Sequence, residues 1–172
     1  SVEDWLRYGS PESLSLFMYG QPKRAKRLHF DVIPKTVDEY YQHLGKITAQ
    51  DHAACLENPV WHIHRGVPSL STLPVSFTLL LNLAAVCHAE APDIVWGYVT
   101  DYAPDVSPSS HPELDRMIGY AVNYYQDLVR PQKIYRTPNG AEQENLRKLK
   151  EAIAAVPDDA GAEDIQSAVY AV

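Results

Sequence analysis

The stretch FTLLLNLAAVC, at residues 77–87, is apolar on nearly every side when it is drawn as a helix. A helix that crosses a membrane needs about 20 apolar residues, and this run is shorter and contains Asn82. An apolar helix of this length must instead be covered by other parts of its own chain. We therefore expect residues 75–89 to form a central helix with other helices packed around it.

Helix-start signals and apolar residues three and four positions apart predict helices on both sides of this run. A Ser–Pro pair suits the N-cap and first position of a helix, and Ser or Thr followed three residues later by Glu suits a capping box. These signals stand at Ser10–Pro11, Thr36–Glu39 and Ser110–Glu113. Helices are predicted from Pro11 to Gly20, over 37–47, near 49–56, from Pro92, over 111–129, over 141–156 and from Ala162. The fold class is therefore mainly α.

Two stretches depart from the helical pattern. Residues 27–33, RLHFDVI, alternate loosely between polar and apolar side chains, which is compatible with a short strand. Residues 57–74 contain three prolines and a glycine, so we expect a long connection there, extended around VWHIH, and a boundary between subdomains. The last helical pattern breaks off at Val172, which is typical of a truncated domain.

Basic residues are concentrated at one place in an acidic chain. The formal net charge is −7, yet Lys23, Arg24, Lys26 and Arg27 fall within five positions. Such a patch attracts a polyanion over about a Debye length, roughly 10 Å at 0.1 M salt. Short basic runs are also common in solvated loops, and composition alone favours that interpretation.

The residues that could ligate a metal are His52, Cys55, His62 and His64, because zinc binds Cys and His. Their spacing matches no established ligand pattern, so we expect no metal site and keep the four as weak candidates only. The chain also contains no G-x-S-x-G motif and no glycine-rich phosphate loop. Two cysteines and the absence of a signal-peptide pattern indicate a cytoplasmic location.

Many of the 11 tyrosines fall on predicted apolar helix faces. We expect those tyrosines to lie in the core and not to stack on nucleic-acid bases. They are Tyr40, Tyr41, Tyr98, Tyr102 and Tyr125.

Four segments resemble the region that follows the KMSKS loop in class I lysyl-tRNA synthetases, in particular those of the bacterial branch. They are SPESLSLFMY (10–19), PKRAKRLHFDVIP (22–34), VDEYYQHL (37–44) and NPVWHIHRG (58–66). The similarity continues more weakly through VSFTLLLNLAAV (75–86) and the helices that follow it.

The resemblance implies a stem-contact subdomain at residues 1–68 and the first part of a truncated α-helical anticodon-binding cage at 69–172. It also implies a Rossmann catalytic domain, N-terminal in the same intact chain, that uses ATP and Mg²⁺ to attach lysine to tRNA(Lys). The HIGH-type and KMSKS-type signatures do not occur in these 172 residues. We therefore expect no catalytic residue, no cofactor and no ligase activity in this fragment alone.

The same resemblance makes the basic run a tRNA contact. The residues expected to touch phosphates of the tRNA stem are Lys23, Arg24, Lys26 and Arg27, with Arg7 and Lys35 as helpers. Phe17 and Phe30 are expected to anchor the loop that carries them. The expected partner is tRNA(Lys), with no role for DNA or a membrane. The alternative is a helical protein-interaction module with no nucleic-acid role, in which the basic run is only a surface loop.

Overall fold

A computed structural model describes residues 1–20, 22–25, 27–69, 73–157 and 159–172. The described residues form helices and loops and contain no strand, so the predicted mainly α class is confirmed. None of the helices in these ranges is long and apolar enough to cross a membrane. The helices are α1 (Val2–Leu6), α2 (Pro11–Tyr19), α3 (Val32–Lys46), α4 (His52–Glu57), α5 (Pro59–Ile63), α6 (Phe77–Val86), α7 (Pro92–Tyr102), α8 (Pro112–Tyr124), α9 (Gly140–Ala154) and α10 (Ala162–Tyr170).

The chain divides into two compact units, Ser1–Lys133 and Ile134–Val172. In the first unit, α3 continues into a 3₁₀ turn at Ile47–Ala49, and α8 continues into a π-helical turn at Tyr125–Val129. In the second unit, α9 and α10 pack against each other, and Asn139 forms a capping box with Glu142 at the start of α9. The predicted boundary near residue 68 stays a prediction.

Helix α3 begins earlier than the sequence predicts. Its first residue is Val32, so the strand considered for residues 27–33 does not form. Pro34 is tolerated in the first turn, because the N–H groups there have no partner within the helix. The predicted capping box at Thr36 is also wrong, because the Thr36 hydroxyl lies inside α3 and donates to the carbonyl of Val32 at 2.8 Å.

The segment predicted as a long connection contains helix α5. Asn58 is its N-cap, since the side-chain oxygen accepts from the N–H of Val60 at 3.0 Å, and Pro59 occupies the first helical position. The extended conformation expected for VWHIH is therefore wrong. Asn58 also donates to the carbonyl of His43 at 2.9 Å, which ties the start of α5 to α3.

Helix α8 also starts differently from the prediction. His111 is its N-cap and makes no side-chain capping bond, so the box expected at Ser110–Glu113 is absent. The Ser110 hydroxyl instead bonds within its own loop, and Glu113 accepts from the Tyr41 hydroxyl on α3. The first turn of α8 is therefore bonded to α3 and has no side-chain cap of its own.

Helix α6 is central, but it is not buried on every side. It packs against α3, α7 and α8, and Phe77, Leu80 and Ala84 are fully buried in the larger of two apolar clusters. On the other side, Leu79 is 43% exposed and Val86 is 80% exposed. The prediction of a helix covered all round is wrong because its neighbours in the described part of the chain cover one face only.

Helix α3 joins the two apolar clusters of the first unit. Ile33 and Val37, near its start, belong to the larger cluster with α1, α6, α7 and α8. Tyr40 and Leu44, one and two turns further on, belong to the smaller cluster, which α2, α4 and α5 complete. The predicted apolar face of α3 is thus confirmed, and its two halves contact different parts of the unit.

A carboxylate on α3 caps the N-terminus of α6. Asp38 accepts from the N–H of Phe77 at 2.6 Å, from the N–H of Thr78 at 3.1 Å and from the Thr78 hydroxyl at 2.5 Å. These N–H groups have no partner within α6, and a negative charge is favourable at a helix N-terminus. The Asp38 contact therefore fixes the start of α6 against α3.

We predict that Asp38→Ala lowers the free energy of unfolding by about 1–2 kcal/mol, because it removes a charged helix cap. Chemical denaturation of the purified chain measures this. Glu39→Gln is the matched control, since its carboxylate is one position along α3 and, among the described residues, pairs only with exposed Lys35 at 3.7 Å. Asp38→Ala should lower the free energy of unfolding clearly more than Glu39→Gln does. Equal small losses would contradict the capping role of Asp38.

Two glycines should respond in opposite directions to replacement by alanine. A Cβ on Gly9 would lie 3.0 Å from Ile33 Cγ2 and 3.1 Å from Trp5 Nε1, both buried, whereas a Cβ on Gly97 in α7 meets nothing within 4 Å. We expect Gly9→Ala to destabilise by about 1–3 kcal/mol through overpacking. Gly97→Ala should stabilise by about 0.5–1 kcal/mol through helix propensity. Thermal unfolding checks both signs, and an unaffected Gly9→Ala variant would contradict the close packing.

Candidate nucleic-acid interface

The basic loop, which connects α2 to α3, presents its described cations to solvent. Lys23, Arg24 and Arg27 are exposed, and none of them forms an ion pair with the described part of the chain. Lys26, the fourth predicted contact, lies outside the described residues. The three described cations can therefore accept an external anion without breaking an internal pair.

Aromatic contacts anchor both ends of this loop. Phe17 packs on Trp5 with ring centroids 5.2 Å apart, and Phe30 meets the edge of Tyr8 at 5.5 Å. Leu28, between them, packs against the larger apolar cluster. The anchoring roles predicted for Phe17 and Phe30 are confirmed, although Phe30 lies in a turn and not in a strand.

The two predicted helpers have partners of their own. The Nε–H of Arg7 donates to the Asp127 carboxylate at 2.5 Å, and the Tyr8 hydroxyl donates to the same oxygen at 3.0 Å. The hydrogen bond from Arg7 lowers the pKa of Asp127 below its usual value. Lys35 lies 3.7 Å from Glu39, one turn along α3. Arg7 therefore links the start of the chain to the π-helical turn, and Lys35 remains largely exposed beside its partner.

A groove of about 570 Å³ opens beside the loop, where α2, α3 and α5 meet. Arg27 and Tyr19 line it together with Glu39 and His43 of α3, and Leu16, Phe17 and Pro59 contribute apolar surface. Burial, helped by nearby Lys46, holds the pKa of His43 below its usual value, so its imidazole is neutral near pH 7. Sequence reasoning missed this groove, because its lining residues are brought together only by the packing of three helices.

The four weak metal candidates are directed to different partners. His52 meets the edge of Trp61, His62 hydrogen-bonds the carbonyl of Leu56 at 2.7 Å, and His64 hydrogen-bonds the Tyr40 hydroxyl at 2.9 Å. Cys55 is buried in the smaller cluster. Within the described ranges no three His, Cys, Asp or Glu side chains are grouped so that they could hold a metal ion.

The prediction that these tyrosines lie in the core is correct for those in α3 and for the one directly after α8. It is wrong for the two in α7. Tyr40 and Tyr125 are buried, and burial raises the pKa of Tyr40 and Tyr41. Tyr98 is 52% exposed and Tyr102 is 79% exposed. Helix α7 instead buries Val95, Trp96 and Val99 against α6 and α8, and the Nε1–H of Trp96 donates to Asp115 of α8 at 2.8 Å.

A family model of one enzyme class matches the part of the chain that contains the candidate interface. The family model described as tRNA synthetases class I (K) matches residues 1–67, which include the basic loop and the groove. No solved structure matches the chain.

Individual relatives extend the similarity over almost the whole chain, and each is a lysine–tRNA ligase. The chain is 47% identical to the one from Roseobacter denitrificans (strain ATCC 33942 / OCh 114) over 171 residues, 99% of this chain and 32% of the relative. It is 41% identical to the one from Rickettsia conorii (strain ATCC VR-613 / Malish 7) over 172 residues, again 99% of this chain and 33% of the relative. The predicted resemblance to class I lysyl-tRNA synthetases is confirmed, and the chain spans about a third of the length of the relatives it matches.

We predict that the Arg7–Asp127 pair contributes stability that is lost in acid. The pKa of Asp127 is lowered in the folded chain, so the contribution is complete above the unfolded value of about 3.9 and disappears as the pH falls through the folded value. Asp127→Asn should cost about 1 kcal/mol or less at pH 7, and this cost should shrink as the pH falls below about 3.9. The check is the free energy of unfolding of both chains from pH 2 to pH 7.

Exposed Asp105 is the control for this experiment, because it makes no ion pair or side-chain hydrogen bond with the described residues. At pH 7, Asp105→Asn should change the free energy of unfolding less than Asp127→Asn does. A cost of Asp127→Asn that stays the same from pH 7 to pH 2 would contradict the pairing.

Proposed function

We propose that this chain is the tRNA-docking region of a class I lysine–tRNA ligase. The observation that carries the proposal is the loop at residues 20–31, whose described cations are exposed, unpaired and anchored by Phe17 and Phe30. The family match over residues 1–67 and the lysine–tRNA ligase relatives support tRNA(Lys) as the polyanion.

Phosphate contact is the chemistry that this loop suits best. Lys and Arg neutralise backbone phosphates and release condensed counterions, which gives affinity and register but little sequence information. We assign this contact to Lys23, Arg24, Lys26 and Arg27. Arg7 and Lys35 contribute only weakly, because Asp127 and Glu39 already offset part of their charge.

Ligase chemistry belongs, in this proposal, to the rest of a longer chain. A Rossmann domain there would supply the ATP, Mg²⁺ and lysine sites, and residues 1–68 and 69–172 would form the stem-contact subdomain and the first part of the anticodon-binding cage. The HIGH-type and KMSKS-type signatures do not occur in this sequence, so no step of the reaction is assigned to these residues. A cytoplasmic location accompanies this proposal.

Charge reversal tests the docking role. We expect the triple variant Lys23→Glu, Arg24→Glu, Arg27→Glu to weaken binding of a tRNA(Lys) transcript by about tenfold or more. The slope of log K against log salt concentration should also become shallower by about 2–3, since each lost phosphate contact reduces that slope by roughly 0.7–0.9. Fluorescence anisotropy at several salt concentrations measures both quantities.

The matched control reverses three other exposed lysines, Lys46→Glu, Lys148→Glu and Lys150→Glu, which changes the net charge by the same amount. The control should lose less affinity than the loop variant. Equal losses would show a nonspecific charge effect, and unchanged binding by the loop variant would favour the protein-interaction alternative.

Catalysis offers a second test. We predict that the 172-residue chain supports no lysine-dependent ATP–pyrophosphate exchange, because the ATP-binding signatures of the resembled family do not occur in it. The assay compares the chain with any intact lysine–tRNA ligase as a positive control. Exchange catalysed by this chain would contradict the assignment of chemistry to another region.

A further inference from the structure

We propose that the groove between α2, α3 and α5 binds one unpaired nucleotide of the RNA, with its phosphate at Arg27 and its base stacked on Tyr19. This inference rests on the proposed function and adds a second kind of contact to it. The basic loop alone would touch only backbone phosphates, whereas this groove would also hold a base.

A pair of parallel rings lies at the edge of the groove. Tyr19, the last residue of α2, stacks on His62 of α5 with centroids 5.6 Å apart and an angle of 11° between the planes. Tyr19 remains 45% exposed. Unpaired bases stack on such aromatic faces, whereas bases inside a duplex already stack on one another.

A hydrogen bond within the protein orients one ring of this pair. The Nε2 of His62 lies 2.7 Å from the carbonyl oxygen of Leu56, and because a carbonyl only accepts, this nitrogen carries the proton and donates. The bond orients the His62 ring, on which the Tyr19 ring stacks. A prearranged surface loses less side-chain freedom when a base stacks on it.

The groove also contains a positive charge. Arg27 lines it and has no ion pair with the described residues, so its guanidinium is available to a phosphate. The carboxylate in the lining, Glu39, is 3.7 Å from Lys35, which offsets its negative charge. His43 adds a neutral imidazole whose two ring nitrogens can donate to and accept from a base edge or a ribose hydroxyl.

These features favour a nucleotide over an apolar peptide. An apolar peptide would leave the Arg27 guanidinium without an anion, and a duplex would leave the Tyr19 face without a base. The volume of about 570 Å³ is within the range of small-ligand sites. An unpaired nucleotide that flanks a stem satisfies the charge and the aromatic surface together.

The test uses three RNAs and the 172-residue chain. The first is a blunt hairpin stem, the second carries a two-nucleotide unpaired extension with 2-aminopurine, and the third carries the same extension with abasic sites. We expect the extension with bases to bind about tenfold more tightly than the other two, in line with the known strength of base–aromatic stacking. Binding should also quench the 2-aminopurine fluorescence.

Three variants assign the effect to the stacked pair. Tyr19→Ala and His62→Ala should lose the preference for unpaired bases and weaken the quenching, while still binding the blunt stem. Tyr19→Trp should retain both, because an indole offers an equivalent stacking face. Tyr102→Ala, which removes a tyrosine that is 79% exposed on α7, is the matched control and should behave like the parent chain. Thermal unfolding confirms that each variant is folded.

The outcomes separate this inference from the proposed function. Equal affinity for the base-containing and abasic extensions, or full quenching by folded Tyr19→Ala, would overturn the groove assignment while leaving the basic loop as a stem contact. A parent chain that binds none of the three RNAs would overturn the proposed function and this inference with it.

Discussion

The fold of the first unit depends on one apolar stripe along α3. Its first half, Ile33 and Val37, lies in the larger apolar cluster, and its second half, Tyr40 and Leu44, lies in the smaller one. Asp38, beside the stripe, caps α6 and so fixes the central helix to α3. Because the basic loop leads directly into α3, the same stripe fixes the base of that loop. The groove beside Arg27 follows from it too, since α3 forms one of its three walls.

The distribution of ion pairs explains how an acidic chain can approach RNA. Most arginines outside the loop are neutralised by carboxylates; they are Arg7, Arg116, Arg130, Arg136 and Arg147. Arg24 and Arg27 have no such partner in the described part of the chain, although the sequence holds 22 acidic residues. Unpaired cations on one surface create a local positive potential that the distant acidic residues do not cancel, because salt screens them beyond about 10 Å.

Local signals predicted the helices well, and tertiary contacts account for the errors. Helical spacing identified most of α2, α3, α8 and α9, because one face of each had to be apolar. An N-cap residue followed by proline begins α2 at Ser10–Pro11 and α5 at Asn58–Pro59. The second pair was not recognised, because the prolines and the glycine of residues 57–74 indicated a loop. Thr36 and Glu39 have the spacing of a capping box, but α3 begins at Val32 and accepts Pro34 in its first turn.

The candidate site was predictable only where a single segment carries it. The basic residues are adjacent in the sequence, so their charge could be read directly. The Tyr19–His62 pair joins two helices that are distant along the chain, and no periodicity connects them. The exposure of Tyr98 and Tyr102 could not be predicted either, because α7 carries apolar residues on more than one face and its packing against α6 and α8 decides which face is buried.

Amide hydrogen exchange of this chain with and without tRNA(Lys) tests the central claim most directly. If the loop between α2 and α3 is the docking surface, tRNA should slow exchange at residues 22–31 and at the end of α2. Slowed exchange elsewhere, with residues 22–31 unaffected by bound tRNA, would contradict the account.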